Sequence, residues 1–113
     1  MLIKEIRIIR LRAPWVEAPK FGPVVPETRE ILMVEIEARS GVVGMGYLML
    51  LGGGGATIEA CLKELIIPNL IGRNVTEIEG IWQALWKKNY WVGRMGITVM
   101  AQSVIDIALW DAV

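Results

Sequence analysis

The sequence predicts an α+β domain in which three antiparallel strands come first and three helices follow. Three observations carry that assignment. Residues 30–39 alternate without a break, with Leu32, Val34, Ile36 and Ala38 on one face and Met33, Glu35, Glu37 and Arg39 on the other. From Thr57 onward the apolar period changes from that of a strand to that of a helix. The chain then closes on residues 96–113, a run that is apolar on nearly every side. Strand and helix patterns are segregated rather than interleaved, which argues against a parallel sheet with crossover helices.

The first strand is read over residues 3–12, where β-branched residues mix with charges in near alternation, and a phase slip at Ile8 and Ile9 fits a bulge. Residues 13–28 hold Pro14, Pro19, Gly22, Pro23 and Pro26, with Trp15 and Phe21 between them, a composition that cannot pair regularly in a sheet. A long loop is expected there, and structureless loops of about fifteen residues in a compact domain are mostly lids or binding loops. The second strand covers 30–39. A turn at Ser40 and Gly41 leads to a third strand over 42–47, in which Gly44 and Gly46 leave gaps on one face. Residues 48–51 followed by Gly52, Gly53, Gly54 and Gly55 read as an apolar tip on a flexible hinge, a mobile flap in which Gly53 and Gly54 could become alanine at little cost in stability.

Thr57 is placed to cap the first helix, where Ile58, Cys61, Leu62, Leu65 and Ile66 recur at helical spacing until Pro68 stops them. Residues 69–74 connect. Thr76 with Glu79 makes a capping box for the second helix, whose buried stripe is Ile78, Ile81, Trp82, Leu85 and Trp86, with Lys87 and Lys88 suited to the negative end of its dipole. In the third helix Val99, Met100, Val104, Ile107 and Ala108 make one apolar face, and Ala101, Ile105 and Leu109 most of another. That leaves Thr98, Gln102 and Asp106 as a narrow polar stripe. No Gly, Asn or Pro ends this helix, so the chain is expected to continue into a larger protein.

Composition narrows the function classes. The chain has 113 residues, 54% of them hydrophobic, with a mean hydropathy of +0.47. This is one domain with more apolar surface than it can bury alone, so self-association is expected. A net charge of zero with spread cations excludes a nucleic-acid footprint and a polybasic membrane patch. One cysteine, Cys61, and no histidine leave neither an internal disulfide nor a transition-metal ligand set. Charges at every second or third position of the first twelve residues exclude a signal peptide, and no run approaches the roughly eighteen apolar residues of a membrane span. A cytoplasmic location is expected.

Four consecutive glycines before a helix could cradle an anion on backbone N–H groups, but the P-loop and dinucleotide fingerprints both fail, because Ala56, Thr57 or Ile58 stands where each motif needs another residue. Glu35 and Glu37 read as solvated charges. Asp106, on an otherwise apolar helix, needs a cation, and Arg94 is the candidate for a structural ion pair. Of the five tryptophans, Trp82, Trp86 and Trp110 have core spacing, whereas Trp15 in the loop is the better ligand contact. Tyr47, read at the end of a rigid strand, could offer a phenol to the same ligand, with Phe21, Leu50 and Leu51 shedding water from it.

Several blocks together, KEIRIIRLRAP, ETREILMVEIEARSGVVGMGY, IIPNLIGRNVTEIEGIWQALW and above all GRMGITVMAQSVIDIALWDA, resemble the N-terminal domain of the mandelate racemase/muconate lactonizing enzyme group of the enolase superfamily. The resemblance implies an enolase N-terminal domain-like fold, truncated before the (β/α) barrel, with residues 1–113 forming the capping domain. Many members carry a glutamate after the hairpin's last glycine. Tyr47 and Leu48 after Gly46 look more like the mandelate racemase subgroup. The resemblance further implies abstraction of a proton α to a carboxylate, a carboxylate small-molecule substrate and Mg²⁺ in the full-length parent, with two loops of this domain, residues 15–26 and 48–55, closing over the substrate. The metal ligands and bases of the family lie on barrel strands, so no catalytic or metal residue is expected in this chain. Two other readings remain: a self-associating interaction module without catalysis, and an anion-binding domain using the Gly52 to Gly55 loop.

Overall fold

A computed structural model describes residues 1–15 and 28–113. Three strands, β1 (Ile3–Pro14), β2 (Thr28–Ala38) and β3 (Val43–Leu50), form an antiparallel sheet in the order β1-β2-β3. Helix α1 (Gly55–Cys61) continues into a π turn (Leu62–Ile66) and a 3-10 turn (Ile67–Asn69). Helices α2 (Ile78–Lys88) and α3 (Ile97–Ala112) follow. The fold is the expected α+β meander with its helices on one side.

The alternation of β2 decides which side. Leu32, Val34, Ile36 and Ala38 are buried and cluster with Ile58, Leu62, Ile66, Val104, Ile105 and Ala108 from the helices. On β1 the same face carries Ile6 and Ile8, which pair with Ile36 and Val34. The irregularity in β1 falls between Ile3 and Glu5, not at Ile8 and Ile9, which stay in register with Val34 and Met33. The apparent slip at Ile8 and Ile9 is an apolar residue on the open face rather than a bulge.

Both hairpin strands run further than their composition suggested. Ala13 and Pro14 pair with Arg29 and Thr28, since an edge strand tolerates a proline whose missing N–H faces away from its neighbour. Leu48, Met49 and Leu50 pair with Leu32, Ile31 and Glu30, so the expected apolar tip is the end of β3. The turn between β2 and β3 holds Gly41 at a φ of 93°.

The gaps at Gly44 and Gly46 are filled by α3. A Cβ at Gly46 would overlap the Val104 carbonyl and lie 2.9 Å from the Ala108 nitrogen, and one at Gly44 would overlap the Ala108 carbonyl. These glycines let the helix backbone lie directly on the strand.

The starts of α1 and α2 differ from expectation. α1 begins two residues before Thr57, after Gly54 in the left-handed region at a φ of 92°, with no side-chain cap. Thr76 does not cap α2. Its N–H and hydroxyl both donate to Asn74 Oδ1, at 3.1 and 3.0 Å, an Asx turn that delays the helix to Ile78. Trp82 and Trp86 are half-buried and stack with centroids 6.4 Å apart.

In α3 the polar stripe is turned inward. Thr98 and Gln102 are buried, and Gln102 Nε2 donates to the Trp82 carbonyl at 3.1 Å, satisfying both groups at the α2–α3 contact. Ile107 and Trp110 are exposed at 46% and 60%, so Trp110 is not a core residue. The expected Asp106–Arg94 pair is absent. Arg94 instead donates from Nε to the Trp86 carbonyl at 3.2 Å and lies 4.9 Å from the centroids of both Trp86 and Tyr90.

The start of the chain is laced to the connector ahead of α2. The Ile3 N–H donates to the Arg73 carbonyl, the Gly72 N–H to the Ile3 carbonyl and the Val75 N–H to the Met1 carbonyl, at 2.8, 2.9 and 2.9 Å.

Candidate functional site

Register places the strand ends that flank the two expected loops at one end of the sheet. Pro14 pairs with Thr28 and Glu30 with Leu50, so the connection between β1 and β2 and the β3–α1 connection leave the sheet side by side. Phe21 and the rest of 16–27 lie outside the described residues. Trp15 is half-buried, with the Arg29 guanidinium 5.5 Å from its ring centroid, and its Nε1 is buried without a hydrogen-bond partner among the described residues. Leu51 is 39% exposed, at the head of a segment that continues through Gly52, Gly53 and Gly54, all exposed.

Three of the candidate positions sit elsewhere than expected. Leu50 is only 2% exposed and belongs to the core. Tyr47 lies within β3 opposite Met33, on the face of the sheet that the helices leave open. Gly55 is buried as the first residue of α1, so the free stretch of glycine is Gly52 to Gly54. Gly53 and Gly54 both have positive φ, 81° and 92°, while nothing lies within 4 Å of a Cβ at Gly52.

Beneath this end lies a charged cluster that the sequence reading passed over. Glu30 is 5% exposed. Arg10 Nε lies 3.6 Å from its Oε1 and Arg12 Nη2 4.0 Å from its Oε2. Arg10 Nη1 also donates to Glu59 Oε2 at 2.9 Å, and Lys63 Nζ lies 3.0 Å from Glu59 Oε1. The hydrogen bond from Arg10, then that from Lys63, holds the Glu59 carboxyl below its ordinary value. The signal was in the phase: Glu30, Arg10 and Arg12 occupy core-facing positions of their strands. The same cluster bears on the anion-binding reading of the glycine loop: a Cβ at Gly55 would collide with the Glu30 carboxylate. A negative charge already occupies that side.

On the open face Arg7 bonds three acids: Nε to Glu35 at 3.0 Å, and Nη1 to Glu37 and Glu5 at 2.8 and 3.0 Å. Glu35 and Glu37 are therefore half-buried and paired rather than simply solvated. Arg7 first, then Lys4, keeps the Glu37 carboxyl below its ordinary range. A groove of about 300 Å³ between α2 and α3 is lined by Ile78, Glu79, Trp82, Gln83, Asp106 and Trp110, and burial there pushes Asp106 up.

Among the described residues no three of His, Cys, Asp and Glu converge on a point where a metal could sit.

An α+β meander with two loops at one end defines a domain type shared with known enzymes. A family described as mandelate racemase/muconate lactonizing enzyme, N-terminal domain, matches residues 9–113, and the chain belongs to it. Among curated relatives, 3,6-anhydro-alpha-L-galactonate cycloisomerase of Streptomyces coelicolor is 37% identical over 82 residues, 73% of this chain and 23% of that protein. D-mannonate dehydratase of Xanthomonas oryzae pv. oryzicola is 40% identical over 83 residues, 74% of this chain and 19% of that one. Among solved structures, a racemase from Streptomyces coelicolor A3(2) with bound magnesium superposes with a TM-score of 0.91 at 31% identity, covering 98% of this chain and 31% of that one. L-talarate dehydratase from Polaromonas sp. JS666, complexed with Mg and L-glucarate, gives 0.86 at 28% identity, covering 98% and 31%. The chain thus spans under a third of the length of these relatives.

No helix of the described residues is long and apolar enough to cross a membrane.

Proposed function

We propose that residues 1–113 act as the substrate-capping and specificity domain of a longer cytoplasmic enzyme that abstracts a proton α to a carboxylate, as a racemase, acid-sugar dehydratase or cycloisomerase. The observation that carries this reading is the convergence of two connections at one end of the sheet, with Trp15 and Leu51 exposing apolar surface there. Its support is the family membership together with relatives named as cycloisomerase, dehydratase and racemase. In this reading the base and the magnesium ion belong to a partner barrel, and this chain contributes none of the chemistry. Trp15, Phe21 and Leu51 exclude water from a bound sugar acid, and Gly52 to Gly54 allow the segment to close.

The test is kinetic. In the full-length enzyme, Trp15→Ala and Leu51→Ala should change kcat and KM together for an acid-sugar substrate, as changes to closing segments do. Unaltered kinetics in both would reduce these segments to connectors.

A second reading, self-association into a homo-oligomer, has its own observation. Leu11, Val43, Met45, Tyr47 and Met49 are exposed together on the open face of the sheet, at 41% to 61%, and apolar patches of that kind commonly meet a partner. Light scattering at tens of micromolar that shows only monomer would remove it.

A further inference from the structure

The Leu51–Gly54 segment is exposed along its length, yet the residue that follows it is buried. The change happens at Gly55, where α1 begins against Glu30. Glu30 makes no side-chain hydrogen bond among the described residues. What keeps its carboxylate in place is charge, from Arg10 at 3.6 Å and Arg12 at 4.0 Å. A carboxylate this buried is costly unless paired, and removing one partner of such a pair leaves the other uncompensated. Arg12 faces Glu30 directly across the β1–β2 ladder, and Arg10 sits two residues back on the same face. The cations are therefore delivered by paired backbone rather than by a free loop.

We propose that Glu30 is a positioning residue that fixes the stem of the Leu51–Gly54 segment. Its carboxylate is the floor on which the bare Cα of Gly55 rests. Arg10 carries the same hold one turn into α1 through Glu59, and Lys63 braces Glu59 from the far side. Three elements, β1, β2 and α1, are thus clamped at the point where the segment joins the helix. The left-handed turn at Gly53 and Gly54 can then move against a fixed base without dragging α1 along. This rests on the reading of the segment as substrate-facing only for its consequence in catalysis; the clamp itself is a property of this chain.

The test is hydrogen exchange on the 113-residue chain carrying Glu30→Gln, which keeps the shape and removes the charge. Backbone amides of residues 58–62, the first hydrogen-bonded ones after the segment, should exchange at least about ten-fold faster, while those shared by β2 and β3 stay within about two-fold, because only a local opening has become easier. Arg10→Gln, at a more exposed position, should give the same pattern even if the first variant folds poorly. The double variant should add little to either, as expected for one coupled unit. Unchanged exchange at 58–62, or acceleration spread evenly over the sheet, would overturn the proposal. In the longer enzyme Glu30→Gln should raise KM more than it lowers kcat. Local exchange that responds while kinetics do not would leave the clamp standing and count against the substrate-facing reading alone.

Discussion

The carboxylate of Asp111 accepts the backbone N–H of Met45 at 2.8 Å, so the last turn of α3 satisfies an outward-facing amide on the free edge of β3. Edge strands left unpaired are templates for unwanted pairing, and a side chain from a neighbouring helix is one way to blunt them. Asp111→Ala should cost about 1 kcal/mol, the usual worth of such a bond at an exposed site. Asp111→Asn, which keeps an acceptor, should recover part of it. Urea denaturation of the three proteins decides the matter, and equal midpoints would show the bond to be inert.

Glycine substitutions should divide sharply. Gly46→Ala meets helix backbone that cannot turn aside, and overpacking of this kind costs about 1–3 kcal/mol. Gly44→Ala should behave likewise. Gly52→Ala meets open space with no positive φ and should fall within about 0.5 kcal/mol of the parent. Gly53→Ala falls between, at about 1 kcal/mol, because its φ of 81° is unfavourable for a side chain even in open space. The last value departs from the expectation that Gly53 and Gly54 are free to change. Thermal or urea midpoints of the four variants give the order directly.

Asp106 makes a prediction about pH. Burial raises its folded-state pKa above the ordinary 3.8, so on raising the pH the unfolded chain gives up this proton first. Stability from this group is therefore full below the ordinary value, falls as pH rises through the folded value, and stays lower above it. Asp106→Asn should raise the thermal midpoint at pH 7 and leave it nearly unchanged at pH 3. Glu37 and Glu59 act with opposite sign, since their lowered values withdraw stability as pH falls through them. The difference between variant and parent isolates Asp106. A variant that is less stable than the parent at pH 7 would show that the carboxylate has a partner in solution.

Cys61 should be a slow thiol. Desolvation, and secondarily Glu64, pushes its pKa up, and the thiolate is the reactive form. Alkylation at pH 8 should run at least about ten-fold slower in the folded chain than in urea. Equal rates would mean that the π turn carrying its neighbours opens readily.

What the sequence made legible was whatever repeats. The strict alternation of Leu32, Val34, Ile36 and Ala38 identified the buried face of the sheet, and helical spacing identified Ile58, Leu62, Ile81 and Leu85. What it hid depends on single approaches between distant residues. Nothing local says that Gly44 and Gly46 face a helix backbone, or that Asn74 takes the hydroxyl of Thr76 and shifts the start of α2. Trp110 reads as core because its spacing is right, although its side of α3 has no cover in this chain. At the site, Glu30 was the residue overlooked. It continues the apolar phase of β2 as a charge, and its meaning emerges only when Arg10 and Arg12 are seen on the same face of β1.

The bonds from Met1 and Ile3 to Gly72, Arg73 and Val75 tie the start of β1 to a segment far along the chain. Strands β1, β2 and β3 are local neighbours, and Leu2 and Ile3 already have partners in Arg39 and Ala38, so the bonds to the connector before α2 are a second hold on the same residues. Contacts so distant in sequence carry the loop-closure entropy of everything between them and come late in folding.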